Sequence, residues 1–129
     1  SICLDIFAVD EDNQDALVIY ILALTDQLVQ TESKIHHKKI TDSIKKLKSD
    51  FHRHYYTGIF LEKRARSLLR HSMSRSFAYE AFMEAIKEFE IAEKMAPAHC
   101  ADPILRYNSC IRTINKEHLQ SRQEFDELY

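Results

Sequence analysis

One glycine, two prolines and no tryptophan occur in 129 residues, where ordinary usage would give about nine glycines and six prolines. Sandwiches and barrels of many strands need those residues at their frequent turns, so they are excluded. A lone Gly58 also excludes a glycine-rich phosphate loop. Cysteine is scarce and odd in number: Cys3, Cys100 and Cys110 include no Cys-x-x-Cys pair, which argues against a disulfide framework or a zinc site and for reduced, buried thiols. The longest apolar run, Ala16 to Leu24, is too short to cross a bilayer. Ser1 to Ala8 contains Asp5 and no basic leader, unlike a signal peptide. These features predict a cytoplasmic protein without membrane association. Ser1 already stands inside an apolar pattern, which predicts a piece of a longer chain.

With 45% apolar and 29% charged residues, the chain has the composition of one folded domain over 1–129. Its net charge of −2 conceals a division. Residues 1–33 carry seven acids and no base. Residues 34–75 carry twelve bases against Asp42, Asp50 and Glu62, for +9, and residues 76–129 carry ten acids against six bases. Such a basic centre attracts anionic partners, unless oppositely charged neighbouring helices neutralise it.

Helical spacing runs throughout. Leu17, Tyr20, Ile21, Leu24 and Leu28 form one stripe, with Asp12 or Asn13 placed to cap it. Gln30 to Lys34 reads as a turn. Ile40, Ile44, Leu47 and Phe51 continue the period on a lysine-rich segment, and Tyr55, Gly58, Leu61, Ala65 and Leu68 prolong it. Residues 34–70 are therefore one helix or two, with the break expected near Ser49–Asp50. His71 to Arg75 is a connector with Ser76 placed as a cap. Ala78, Phe82, Ala85, Ile86, Phe89 and Ala92 then form the clearest stripe. Pro97 stops that helix near Ala96. Asp102-Pro103 starts another as cap and first-turn proline, followed by Ile104, Tyr107, Asn108, Ile111 and Ile114. The tail from about residue 117 is polar, with Phe125 and Leu128 as its apolar residues. No segment reads as a strand. The predicted fold class is all-α.

The run Ala85-Ile86-x-x-Phe89-x-x-Ala92 ending at Pro97 resembles the second helix of a tetratricopeptide repeat. Small residues there let helices approach, an aromatic fills the gap between them, and proline ends the hairpin. Phe7 to Asn13 is similar to the family's exit turn, with Glu11 where proline is usual. Leu17, Tyr20, Ile21 and Leu24 resemble a first helix with a bulky Ile21 at a small position. Gly58 and Leu61 match the middle first helix, and Ile104, Tyr107, Asn108 and Ile111 match a third after one inserted residue. Glu11 to Pro97 spans 86 residues, whereas two repeats of about 34 would span about 68, so about 18 extra residues lengthen the middle. The resemblance implies antiparallel hairpins stacked as a short right-handed array, with a plain antiparallel bundle as the alternative.

That resemblance implies a function: a protein-interaction scaffold whose first helices line a concave groove for a peptide or partner helix. Its groove positions carry over to Asp15, Val18, His52, Tyr55, Glu62, Lys63, Asp102, Leu105, Ser109 and Arg112, with Lys63 and Arg112 suited to a carboxylate and Tyr55 to stacking. Two other readings stand beside it. Lys38, Lys39, Lys45, Lys46 and Lys48 near His52, Arg53, His54, Tyr55 and Tyr56 suit phosphate neutralisation with base stacking, although Tyr55 lies on the apolar stripe and the isoelectric point near 6.4 opposes a dedicated nucleic-acid binder. A helical bundle that dimerises through an exposed apolar face is the third.

Catalysis is not expected. His36-His37 and His52-x-His54 point to different faces of a helix, whereas a helical metal pair needs i, i+3 or i, i+4. Glu80, Glu84 and Glu88 share a face but lack the Glu-x-x-His companion of a di-metal site. No histidine is identifiable as a partner for Cys100 or Cys110. Neither a cofactor nor a metal is predicted.

Overall fold

The structure, a computed structural model, describes residues 13–29 and 34–122. Five helices of regular length occupy them: α1 (Gln14–Asp26), α2 (Lys34–Lys45), α3 (Asp50–Leu69), α4 (Ala78–Met95) and α5 (Asp102–Lys116). The described residues contain no strand. The segment before Asn13 expected as an exit turn, Cys3, residues 30–33 of the turn expected over Gln30 to Lys34 and the residues after 122 lie outside this description, and Lys34 itself opens α2.

Helix starts follow local chemistry in two cases and depart from it in two. Asn13 caps α1, its side chain accepting from the Ala16 N–H at 2.9 Å. Ser49 caps α3 by accepting from the His52 N–H at 3.2 Å. The expected break near Ser49–Asp50 is thus real, and residues 34–70 form two helices. Ser76, in contrast, caps nothing. It sits inside a 3-10 turn, Arg75–Phe77, which leads directly into α4 behind Phe77. Ser74 does the local bonding instead, donating to Leu68 O at 2.8 Å. Asp102 is the first helical residue of α5 rather than its cap, a position held by Ala101 with no side-chain bond. Pro103 occupies the first turn, where no donor is missed.

Inter-helix contacts fix the directions. His54 meets Glu88 at 2.7 Å and Arg66 lies over the Phe82 ring at 5.4 Å, so α3 and α4 are antiparallel. His36 reaches the Leu24 carbonyl at 2.6 Å while Gln14 reaches Lys46 O at 3.4 Å, making α1 and α2 antiparallel as well. A carbonyl only accepts, so His36 Nε2 carries the proton in that bond. Odd-numbered helices run the same way. Gln14 accepts from Lys48 N at 2.9 Å at one end of α1, and Asp26 meets Lys63 at 3.5 Å at the other. Arg106 lies 3.7 Å from Glu62, and Arg66 donates to Ser109 at 3.0 Å and Thr113 at 2.9 Å, which aligns α5 with α3.

Two apolar clusters hold this arrangement. One joins α1, α2 and α3 through Leu17, Ile21, Leu24, Leu28, Ile40, Ile44, Leu47 and Phe60. The other joins α3, α4 and α5 through Ile59, Ala65, the α4 stripe and Cys110. Tyr56 and Leu61 pack against both. Helix α3 is consequently central. Its buried set includes Ile59 and Phe60, which lie off the predicted stripe because neighbours press on α3 from several sides. Alanines 78, 81, 85 and 92 of α4 are all buried, and their small side chains permit close approach. At Gly58 the approach is closest: a Cβ there would stand 2.6 Å from Phe89 Cε1.

Burial, reinforced by the negative charge of Glu62, pushes the Cys110 thiol from near 9 up to about 12. A pKa raised on folding favours the protonated thiol, so this contribution to stability is intact below about pH 9 and is lost as pH rises toward 12. Thiolate is the reactive form. Iodoacetamide at pH 8 is therefore expected to alkylate half-buried Cys100 in the folded protein and Cys110 only after unfolding. Peptide mass spectrometry resolves the two sites.

Candidate functional site

The parallel helices α1, α3 and α5 set their side chains in adjoining rows, and the densest polar constellation lies between α3 and α5. Glu62 is only 2% exposed. Its Oε2 accepts from Arg66 at 2.9 Å and lies 3.7 Å from Arg106, while the buried Oε1 has no hydrogen-bond donor among the described residues. Arg66 spends its remaining donors on Ser109 and Thr113 and rests over Phe82. Two guanidiniums thus share one carboxylate, which leaves this seam with surplus positive charge. Beside it, Ser109, Arg112, Thr113, Asn115 and Lys116 line a cleft of about 480 Å³. Tyr55 adjoins the same seam. Burial raises its phenol pKa, opposed by a hydrogen bond to Arg106. Its ring packs 5.9 Å from Phe51 and from Phe89.

The ten residues assigned to the groove divide accordingly. Tyr55, Glu62, Asp102 and Ser109 gather at the α3–α5 seam, joined by the electrostatic contact of Tyr55 with Asp102 and by the Glu62–Arg66–Ser109 chain. Leu105, 61% exposed, and Arg112 lie open on α5. Lys63 turns instead to Asp26 of α1, so the structure does not bring it to Arg112 as a carboxylate pair. His52 packs against the rings of Phe51 and Tyr56. Asp15 is exposed, but Val18 is half-buried against the first apolar cluster. Glu62 is a correction as well: its carboxylate is enclosed and binds α3 to α5, and it offers no free group to a partner.

Sequence reasoning missed four side chains here. Arg66 and Arg106 carry no signal in the sequence, because the arrangement that puts both beside Glu62 spans two helices. Ile19, 56% exposed, and Leu22 are open on α1. They were hidden in the run Ala16 to Leu24, whose nearly unbroken apolar character does not tell inner face from outer. The i, i+3 and i+4 steps joining Asp15, Ile19, Leu22 and Asp26 are the signal that marks the exposed row.

Four histidines pack or bond within the fold, among them His37, edge-on to Phe60 at 5.5 Å, and His54, bonded to Glu88. No group of three or more His, Cys, Asp or Glu able to hold a metal occurs among the described residues. Nor is any described helix long and apolar enough to cross a membrane. No family model, no curated protein and no solved structure matches the chain.

Proposed function

We propose that this chain is a non-catalytic protein-interaction scaffold of tetratricopeptide-like hairpins, gripping an extended peptide or partner helix across α1, α3 and α5. One observation carries the reading: of three parallel helices, α1 exposes Ile19 and Leu22 and α5 exposes Leu105, while Arg66 and Arg106 at the α3–α5 seam and open Arg112 on α5 supply positive charge. Apolar anchors flanked by guanidiniums suit a partner segment that combines acidic and large apolar residues. The alternating helix directions and the close Gly58–Phe89 contact support the hairpin assignment. With few hairpins to grip it, a peptide is expected to bind in about the micromolar range.

Selection from a displayed library of random peptides tests this. Acidic, apolar-rich sequences are the expected winners. The double variant Leu105→Asp/Arg112→Glu, altered only at exposed positions, should keep its circular dichroism and melting temperature while losing at least about tenfold in affinity, or 1.4 kcal/mol. Selected peptides that bind the variant as tightly as the parent would overturn the proposal.

A further inference from the structure

The basic centre of the sequence separates into a largely paired half and a largely open half. On α3 and the connector after it most bases are paired, Arg53 with Asp50, Lys63 with Asp26, Arg66 with Glu62 and Arg75 with Glu117, while Arg64 and Arg70 make no ion pair among the described residues. On α2 and the loop that follows, only Lys38 is paired, with Asp42 at 2.8 Å. Lys34, Lys39, Lys45, Lys46 and Lys48 are exposed and make no ion pair among the described residues, and the one carboxylate acting on Lys45 and Lys46, Asp42, is already bonded to Lys38. Helix geometry explains the sorting. His36, Ile40, Ser43 and Ile44 turn inward, and at about 100° per residue Lys34, Lys38 and Lys45 fall on the opposite arc, with exposed Lys39 at its flank. The result is a cationic strip about 18 Å long, from 12 residues at about 1.5 Å each.

We propose that this outer face of α2, with Lys46 and Lys48, docks the phosphate backbone of a nucleic-acid duplex without reading its sequence. Lysine is a compact, mobile point charge that suits phosphates, whereas lysine is depleted from the cores of protein interfaces. Single strands need aromatic platforms for stacking, and the nearby Tyr55 and Tyr56 are held against the apolar cores. A lipid surface needs an apolar face to insert. The apolar side of α2 is already buried, leaving Ile35, at 72% exposure, as its one open apolar residue. Backbone contact with a duplex is the remaining chemistry. This face lies outside the seam between α3 and α5, so it does not depend on the peptide-binding proposal.

Fluorescence anisotropy of a duplex of about 20 base pairs provides the test. With four to five phosphates neutralised at about 0.9 each, log affinity should fall with log salt at a slope of about −4, a loss of roughly a few hundredfold between 50 and 200 mM salt. Lys39→Glu/Lys46→Glu should weaken binding at 50 mM at least about tenfold and flatten the slope by about 2. Leu105→Asp/Arg112→Glu should leave duplex binding unchanged. Absence of binding at 20 mM salt overturns the proposal. So does binding indifferent to the lysine reversals, or a preference for phosphatidylserine vesicles over duplex in competition.

Discussion

Replacing Gly58 with alanine is expected to destabilise the protein by about 1–3 kcal/mol, against the usual trend for that substitution. At an open helical position, alanine in place of glycine would stabilise by about 1 kcal/mol. Here the new methyl would meet Phe89 Cε1 at 2.6 Å, Cδ1 at 2.8 Å and Cζ at 3.0 Å. The ring cannot step aside easily. It is fully buried and wedged beside Tyr55 at 5.9 Å, in a hairpin whose α4 side is built from alanines. Accommodation therefore means separating α3 from α4 or forcing Phe89 off its rotamer, and Gly58→Leu should be worse still. The mirror experiment, Phe89→Ala, should cost about 3–5 kcal/mol through lost burial and the cavity left behind. In the double variant Gly58→Ala/Phe89→Leu, the smaller partner should return part of the loss, a coupling that urea titration of the single and double variants measures. A Gly58→Ala protein more stable than the parent would show that the hairpin is looser than its geometry indicates.

Gly58 also illustrates what was readable in the sequence. In a chain with one glycine, a glycine on a helical stripe marks a contact in which a side chain has no room. The stripes themselves, the two-helix division at Ser49 and the stop at Pro97 were equally legible, because each rests on residues within one turn of one another. Legibility ended where the cause lay on another helix. Ile59 and Phe60 are buried because α3 has neighbours on several sides, and a single stripe cannot announce a central helix. Ser76 has the right side chain for a cap, yet the chain enters α4 through a 3-10 turn and leaves it without that role. The site suffered most from this limit. Leu105 and Arg112 are open on α5, but Glu62, assigned to the groove, is enclosed by Arg66 one turn along and by Arg106 more than forty residues away. Charge followed the same rule: the +9 segment is visible in the sequence, and only packing separated the bases paired on α3 from the open lysines along α2.

Glu62 should be the most sensitive charged residue in the molecule. Glu62→Ala would leave Arg66 and Arg106 facing each other across the α3–α5 seam without the carboxylate that joins them. Breaking a buried pair costs about 3–5 kcal/mol when the surviving charge is enclosed. Arg66 and Arg106 are 33% and 43% exposed, so water screens part of that penalty and about 2–3 kcal/mol is the expected loss. That is still a large share of the roughly 5–15 kcal/mol that stabilises a domain. The isosteric Glu62→Gln should lose less, since an amide oxygen still accepts from Arg66. A combined Glu62→Met/Arg66→Leu/Arg106→Leu protein should recover most of the stability, because apolar side chains of similar volume replace a buried ionic group at little net cost. Cys110 gives a readout that packing changes alone do not move in the same way. The Glu62 charge helps hold its thiol pKa near 12, so Glu62→Gln should shift Cys110 alkylation in the folded protein to lower pH. Arg66→Met, which removes a charge that pulls the pKa down, should shift it upward. Equal pH profiles in all three proteins would mean that Glu62 does not act on the seam through its charge.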